Sequence, residues 1–512
     1  MLWTIAIKEL LEDLRSFRFT SCFLLCVILF TVSSIVGARD FRSRLSYVAA
    51  EVDREEETLS QVRVYSHLKP VIYRRSSPLS VFSQGYERTL GPGVQISHRQ
   101  IPYLAQKRKI DNPYLDIIPP IDLSTVVKVV LSLLAVLLAF DAVSGEKEAG
   151  TLRLILSNAL SRPTLLFGKY AGSMITLMGP LLVGFCLGAV ILTVFSPVGF
   201  APSHWFSLGF LVLASGVYLS LFLLVGLFVS AVAGRSSTAL IVLLSIWLFI
   251  VIIAPNLSAF AASAFVDTPS ELELELEVAR LEQQVEERVE EHAQELGPSE
   301  PLGELTVYGE DGRVLVRLGR PEKYEWLGEY YGYRVDQWMG AADLIWERNR
   351  FFIAGLRRQE AVAGTLSMLS PAFLYERICQ VLAGTDLESY ESFLLQSREY
   401  RAQFIDYIRS RDGFSSRRWF TDDPPGQEPF VLDPETFDRS NMDMERGWRL
   451  LSEAEADRAR ILDLDDMPSF RFVPRTVPEA INRAAIDLAI LIGMNMLLFC
   501  LYFFVFTRYD AR

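Results

Sequence analysis

The chain has 512 residues, half of them apolar, and its mean hydropathy is positive at +0.24. A soluble protein of this length would form several domains with apolar residues spread along them, whereas here they gather in a few long runs. The net charge of −12 gives no support to a nucleic-acid partner, and solubility of the polar regions explains it better than a site for a basic ligand.

Six runs are long and apolar enough to cross a bilayer, which takes roughly 20 residues. Buried helices of a soluble protein would instead show amphipathic stripes of roughly 10–14 residues. The first run is too long for the apolar part of a signal peptide and shows no small-x-small cleavage site, so we predict an uncleaved helix. The predicted spans are residues 19–36, 123–143, 174–194, 206–230, 238–255 and 484–507.

Lysine and arginine in the short loops predict the orientation, because they are retained on the cytoplasmic side. They precede the first span, lie between the second and third and between the fourth and fifth, and follow the sixth. The loop between the third and fourth spans has none. Both termini are therefore predicted to be cytoplasmic. Residues 37–122 and 256–483 would be two extracytoplasmic domains, since long loops translocate largely regardless of charge.

The two insertions are predicted to be α+β domains. In the first, Tyr47–Gln61 is interpreted as a helical continuation of the first span. In the second, Glu271–Leu296 has one apolar stripe and a charged back, as in a coiled-coil arm or a helix against a domain. Alternating runs within Leu305–Leu318, on either side of Asp311-Gly312, predict a hairpin. Cys379 is the only cysteine in either insertion, so packing rather than a disulfide within them must hold these domains.

The sequence contains no catalytic motif. Gly168-Lys169 is not part of a Walker A motif, because Pro163 stands where its first glycine would be and Tyr170 replaces Ser or Thr. HExxH, CxxC and G-x-S-x-G motifs are absent, and the four histidines have no metal-like spacing. We therefore predict that the chain is not an enzyme and holds neither a catalytic residue nor a metal.

Two polar residues of the sixth predicted span are candidates for a transport pathway. Asp487 lies near its outer mouth, although structural capping or pairing with Arg483, four residues earlier, explains it at least equally well. Asn495 lies in mid-span and is interpreted first as an interhelical hydrogen-bonding group and second as a substrate contact. A proton-coupled carrier would have a denser relay of carboxylates and histidines, so the energy for transport is predicted to come from elsewhere.

The segment Asp141–Lys169, between the second and third spans, is the most informative part of the chain. It has about thirty polar, helix-forming residues where a bare connector needs only a few. Glu146, Lys147 and Glu148 charge the start of a helix, and Gly150-Thr151 offers a break where two short helices can meet. A loop of this kind predicts a partner that grips it on one side of the membrane.

The run Gly-Glu-Lys-Glu-Ala-Gly-Thr-Leu at residues 145–152, followed by Leu-Leu-Phe-Gly-Lys at 165–169, closely resembles the first cytoplasmic loop of ABC-2 type permeases. The nearest branch is that of copper-enzyme-maturation and gliding-motility permeases, which have enlarged exterior domains. Met1–Arg18 resembles the amphipathic interface helix of the family, and Phe506–Arg512 resembles its usual ending.

The resemblance implies a mainly α-helical membrane protein of the ABC-2, type V exporter-like class, with six transmembrane helices and two extracytoplasmic α+β insertions. Residues 1–18 would be a cytoplasmic interface helix, 144–173 the coupling loop and 508–512 a cytoplasmic tail. An apolar face at Leu152, Leu154, Ile155 and Leu156 would seat in a groove of an ATPase, with a helix lying on the lipid surface as the alternative. The residues assigned to ATPase coupling are Gly145, Glu146, Lys147, Glu148, Gly150, Thr151, Leu152, Arg153, Arg162 and Lys169.

The implied function is that of the permease subunit of an ATP-driven ABC transporter, which exports a substrate along a dimer interface. The chain itself would bind no cofactor, because ATP and Mg²⁺ belong to the partner ATPase. Expected partners are two cytoplasmic ABC ATPase subunits, a second copy or homologous permease, membrane lipid and a periplasmic or outer-membrane protein, in the bacterial inner membrane. The alternative is a mechanotransmission subunit that moves an envelope partner without translocation. A scaffold without an ATPase would leave the loop unexplained.

Overall fold

The computed structural model describes residues 2–87, 90–103, 122–152, 161–195, 200–266, 270–296, 306–308, 315–317, 326–368, 370–415, 419 and 461–508. This part of the chain is mainly helical, and six of its helices are long and apolar enough to cross a membrane. The predicted six-span architecture is therefore confirmed. In chain order the spans are Phe17–Ser60, Leu123–Glu148, Arg162–Phe195, Pro202–Val232, Ser236–Phe265 and Val477–Arg508.

A separate N-terminal helix, Leu2–Arg15, precedes the first span and packs along the third. Ser16 ends it and caps the next helix, because its Oγ accepts a hydrogen bond of 3.1 Å from the Phe19 backbone N–H. The first span then runs unbroken for 44 residues to Ser60. At 1.5 Å per residue this is about 66 Å, or roughly twice the hydrocarbon thickness of a bilayer. The predicted continuation over Tyr47–Gln61 is therefore present as one rigid helix.

Small residues let the spans approach closely. A Cβ atom added at Gly226 of the fourth span would lie 2.4 Å from the Cβ of Ala139 in the second. A Cβ atom at Gly184 of the third span would lie 2.4 Å from the ring of Phe30 in the first. These contacts join the spans around one apolar core, and larger side chains at either glycine would push two helices apart.

The two insertions share a second apolar core. The first insertion contributes β1 (Val71–Tyr73) and β2 (Gly93–Gln95), which pair antiparallel with Ile72 opposite Val94. The second contributes the helix Leu387–Ser410, whose buried face covers this ladder. We call this joint body the insertion domain. Its core residues are Val62, Tyr65, Leu68, Ile72, Val94, Ile96, Val335, Tyr390, Phe393, Leu394, Tyr400, Phe404, Tyr407, Ile408, Trp419 and Leu462.

The end of the fifth span packs against the long helix Trp326–Ser367, which is one of a pair of helices. The arm helix Glu271–Leu296 packs against the long helix Trp326–Ser367, and Arg348 Nε lies 3.2 Å from Glu277 Oε1 across the pair. The apolar stripe predicted for Glu271–Leu296 therefore packs against another helix of the same insertion. The apolar contacts of the pair are made by Val285, Val289, Trp338 and Ala341.

The hairpin predicted between the arm helix and the long helix is confirmed. β3 (Thr306–Tyr308) pairs antiparallel with β4 (Leu315–Arg317), with Val307 opposite Val316. Its predicted turn at Asp311-Gly312 lies outside the described residues.

Candidate coupling site

One end of the bundle, which we call the loop end, carries the N-terminal helix and the short helix Ser144–Glu148, which is the last part of the second span. This short helix is fastened to the end of the fourth span. The backbone N–H of Ser144 donates to Ser230 Oγ at 3.0 Å, and Lys147 Nζ donates to the backbone carbonyl of Ala233 at 3.2 Å. Lys147 Nζ also donates to the carbonyl of Ala231. These hydrogen bonds attach the short helix to the end of the fourth span.

A buried lysine joins the short helix to two other elements. Lys169 Nζ, in the third span, lies 2.7 Å from Glu146 Oε1 and 2.8 Å from Glu9 Oε1 of the N-terminal helix. Lys169 is only 1 % exposed, so both contacts are largely removed from solvent. Gly172 permits this approach, because a Cβ atom there would lie 2.7 Å from the Glu9 Cβ. Three segments thus meet on one ammonium group, and losing it would leave two carboxylates buried without compensation.

The N-terminal helix presents its polar side to the bundle and its apolar side outward. Asp13, one turn after Glu9, accepts a hydrogen bond of 3.3 Å from Thr176 Oγ1 of the third span. Burial and the neighbouring Glu9 carboxylate raise the pKa of Asp13 to about 7. The opposite face is an exposed apolar stripe, as expected for a helix lying at a membrane surface. It consists of Trp3, Ile7, Leu11 and Leu14.

The end of the short helix forms an exposed tip. The tip comprises residues 148–151, all of which are exposed. Glu148 accepts hydrogen bonds from the Ser236 backbone N–H at 3.2 Å and from Ser236 Oγ at 3.0 Å, which ties the tip to the start of the fifth span. Gly150 has φ +71°, a conformation that glycine adopts at little cost, and it separates the short helix from Thr151-Leu152. The break predicted at Gly150-Thr151 is therefore present.

The residues predicted for coupling divide into an inward-facing group and an exposed group. The exposed group is Glu148, Gly150 and Thr151 of the tip. Glu146, Lys147 and Lys169 face inward and hold the short helix in place. Leu152 is 2 % exposed and packs in the core of its own chain, so its side chain does not face a partner groove. Arg162 Nη1 donates to the backbone carbonyl of Thr507 at 2.6 Å and ties the third span to the sixth.

Among the remaining residues of the predicted site, the structure describes Gly145 but not Arg153. Gly145 lies in the short helix, where its backbone N–H donates to the Asp141 carbonyl at 2.8 Å. Arg153 and the predicted apolar positions 154–156 lie outside the described residues. Sequence reasoning missed Glu9 and Asp13. The available signal was their spacing of four residues on the face opposite the apolar stripe.

The two pathway candidates are engaged within the chain. Asp487 is 1 % exposed, and its Oδ2 lies 2.8 Å from Arg377 Nε, whereas Arg483 pairs with Glu388. Asn495 Oδ1 accepts a hydrogen bond of 2.8 Å from Ser220 Oγ of the fourth span, which is the interhelical role that we interpreted first. Within the described residues, no group of three or more His, Cys, Asp or Glu side chains could hold a metal ion.

Comparison with known proteins places this arrangement in a family. Residues 3–420 match the model of the ABC-2 family transporter protein family. A probable ABC transporter permease protein NosY from Stutzerimonas stutzeri is 30 % identical over 132 residues, and one from Pseudomonas aeruginosa is 32 % identical over 131. Each match covers 26 % of this chain and 48 % of the relative, so the chain spans about half the length of the curated relatives it matches.

The family match extends over most of the chain and includes the N-terminal helix, the first five spans and the whole candidate coupling site. The six spans and the loop between the second and third agree with that match. The chain therefore belongs to the ABC-2 family of transporter proteins.

Proposed function

We propose that the chain is the permease subunit of an ATP-driven ABC transporter that exports a substrate along the interface between two permeases. It would pair with a second copy or a homologous permease and with two cytoplasmic ATPase subunits, which bind the ATP and Mg²⁺. Membership of the ABC-2 family supports an association with ABC ATPases. The bacterial inner membrane is the proposed location, with both termini in the cytoplasm.

The observation that carries the proposal is the way the exposed tip is connected to the bundle. Glu148 contacts the fifth span, Lys147 the fourth, and Glu146 reaches the third through Lys169. Glu9 extends the same contact to the N-terminal helix. A push on the tip is therefore distributed to three spans and one surface helix, as a joint that receives rigid-body motion from a partner requires.

A second function is supported by the size and rigidity of the parts beyond the bundle. The first span continues to Ser60 as one helix, and both insertions share a single core. These features suit a mechanotransmission subunit that uses ATP to move an envelope partner without translocation. Measuring substrate efflux and movement of the insertion domain in the same vesicles separates the two functions, since efflux is expected only for the exporter.

The coupling role is tested by crowding the tip. Ala149 is exposed at the tip, and Ala50 is exposed on the part of the first helix that belongs to the first insertion. We expect Ala149→Trp to abolish co-purification of the ATPase and permease-stimulated ATP hydrolysis, because a bulky ring there blocks docking. Ala50→Trp is the matched control and should leave both unchanged. An Ala149→Trp protein that still co-purifies with a fully stimulated ATPase would overturn the assignment.

A further inference from the structure

One helix of the second insertion lies inside the apolar core of the membrane bundle. This helix, Pro371–Ala383, is the wedge helix; nine of its 13 residues are buried. Leu374 and Ile378 are at most 1 % exposed and belong to the same core as the spans. Ser370, the N-cap residue just before the helix, donates a hydrogen bond of 2.8 Å from its Oγ to the backbone carbonyl of Ile250 in the fifth span. The helix is therefore part of the bundle, although the chain on either side of it leads into the insertions.

The wedge helix packs on the fourth span through an aromatic pair. The ring of Tyr375 stacks on that of Tyr218 with centroids 4.6 Å apart and an interplanar angle of 17°. The hydroxyl of Tyr375 is also hydrogen-bonded to Ser215 Oγ at 2.9 Å. Tyr218 in turn donates to the backbone carbonyl of Lys128 in the second span at 2.8 Å. A movement of the fourth span is thus passed to a ring that is held at its face and at its hydroxyl.

Two neighbouring charges attach the wedge helix to two further spans. Glu376 Oε2 lies 2.7 Å from Lys128 Nζ of the second span. Arg377 Nε lies 2.8 Å from Asp487 Oδ2 of the sixth span, where the carboxylate is 1 % exposed. Because adjacent residues point about 100° apart around a helix, the two pairs hold it from different sides, and a turn of the helix about its axis would break both. The charged sequence Glu376-Arg377 therefore fixes the rotation of the wedge helix relative to the spans.

The other end of the wedge helix is attached to the first insertion. Gly384 ends the helix with φ +70°, and its carbonyl accepts a hydrogen bond of 2.6 Å from Arg74 Nη2. The Thr385 carbonyl accepts a hydrogen bond of 2.9 Å from the Tyr86 backbone N–H. Gly85 permits this contact, because a Cβ atom there would lie 2.6 Å from the Thr385 carbonyl oxygen. The wedge helix thus lies between the spans and the junction of the two insertions.

We propose that the wedge helix transmits rearrangements of the second, fourth and sixth spans to the insertion domain, with Glu376 and Arg377 as its positioning residues. The proposal rests on the proposed ATP-driven function, which supplies the rearrangement. Without the two ion pairs the second and sixth spans can shift against the wedge helix, which keeps its contacts with the fourth and fifth spans, so the insertion domain follows the spans less closely. Hydrolysis in the partner does not require these pairs, because they lie at the opposite end of the spans from the coupling site.

The test uses the reconstituted complex with a spin label in the insertion domain, introduced as Ala402→Cys at an exposed position of the helix Leu387–Ser410 in a cysteine-free background. The label-to-label distance between the two permeases is measured with and without trapped nucleotide, and ATP hydrolysis is measured in the same vesicles. We expect a nucleotide-dependent shift that is smaller in Arg377→Gln and in Glu376→Gln than in the unmodified protein. Arg350→Gln, at an exposed arginine of the long helix Trp326–Ser367, is the control and should retain the shift.

The outcomes separate the two proposals. A complex that shows no ATP hydrolysis in any form counts against the proposed function. Hydrolysis without a distance shift in the unmodified protein, or with an undiminished shift in Arg377→Gln and Glu376→Gln, overturns the role of the wedge helix. If Arg377→Gln fails to fold, Glu376→Gln decides alone, because Glu376 is 43 % exposed at its side chain and tolerates the change.

Discussion

The carboxylate of Glu9 lies 2.8 Å from the ammonium of Lys169, a residue 160 positions later in the chain. This contact makes the N-terminal helix part of the proposed coupling site. A family resemblance carried by residues 145–169 marks Lys169 but gives no reason to include Glu9. The buried pair explains why the surface helix and the coupling segment share one position against the third span.

Replacement of Lys169 by methionine should destabilise the protein and uncouple it. The change leaves the carboxylates of Glu9 and Glu146 buried beside each other, and breaking a buried pair in this way costs about 3–5 kcal/mol. We expect a lower midpoint of thermal unfolding in detergent and loss of permease-stimulated ATP hydrolysis. The triple variant Glu9→Gln, Glu146→Gln, Lys169→Met should recover most of the thermal midpoint without recovering the stimulation. Equal midpoints for the single variant and the unmodified protein would contradict this.

Gly172 should be essential for seating the N-terminal helix. A side chain there meets Glu9 and the carbonyl of Ala6, both closer than 3.0 Å. We expect Gly172→Val to displace the helix and expose the segment around Ala6 to limited proteolysis. Gly179, in the same span, has no atom within 4 Å of an added Cβ, so Gly179→Val is the matched control. Identical cleavage of both variants would show that the helix is held by other contacts.

The pKa of Asp13 predicts a loss of stability with rising pH. Burial and Glu9 raise this pKa from its ordinary 3.8 to about 7, so the folded chain retains a proton that the unfolded chain releases. The stabilising contribution is complete below about pH 4 and is lost as the pH rises through 7. As the pH rises from 5 to 8, the thermal midpoint of the unmodified protein should therefore fall relative to that of Asp13→Asn. Parallel midpoints across that range would exclude the raised pKa.

His98 predicts the opposite dependence in the insertion domain. Its ring packs edge-on against Phe414 and Trp419, and burial together with Arg99 and Arg401 lowers its pKa from 6.5 to about 3. Further positive charge comes from Lys69 and Arg334. The unfolded chain takes up a proton that the folded chain refuses, so stability is lost as the pH falls from about 6.5 towards 3.

Substitution of His98 tests its contribution to the pH dependence of stability. We expect His98→Phe to reduce the loss of stability between pH 7 and pH 4.5. The free energy of unfolding is measured at each pH from the change in tryptophan fluorescence as the protein unfolds. His67 is exposed, so His67→Phe is the control and should not change the pH dependence. A pH dependence that is the same in His98→Phe and in the unmodified protein would show that other groups cause it.

The proposed orientation is tested with single cysteines in a cysteine-free background. Ala50→Cys should react with a membrane-impermeant thiol reagent added from the periplasmic side, and Ala149→Cys should react only after the membrane is permeabilised. Cys379 is unsuitable as a reporter, because it is 1 % exposed in the wedge helix. Labelling of Ala149→Cys in intact cells would reverse the assigned orientation.

The features that local sequence could predict are those with a local cause. Runs of apolar residues identify the spans, and Gly150 marks the break in the coupling segment because its positive φ suits glycine. The hairpin of β3 and β4 follows from two alternating runs of residues. Each of these patterns depends on neighbours within about twenty residues.

The features that the sequence did not reveal depend on distant partners. Glu9 is recognisable as buried only once Lys169 faces it, and the shared core of the insertions joins Ile72 to Phe393. The wedge helix carried a signal that was not used. Apart from Glu376 and Arg377 its sequence is almost entirely apolar, which is typical of a helix buried on most of its surface.

The unbroken first helix has a mechanical consequence. Its part beyond residue 36, the end of the span predicted from the sequence, measures about 36 Å at 1.5 Å per residue, and the helix continues without a break to Ser60. A tilt of about 10° within the bilayer would displace its far end by about 6 Å, since displacement grows in proportion to length. The helix therefore acts as a rigid arm that converts small angular changes among the packed spans into displacements of several ångströms at its far end.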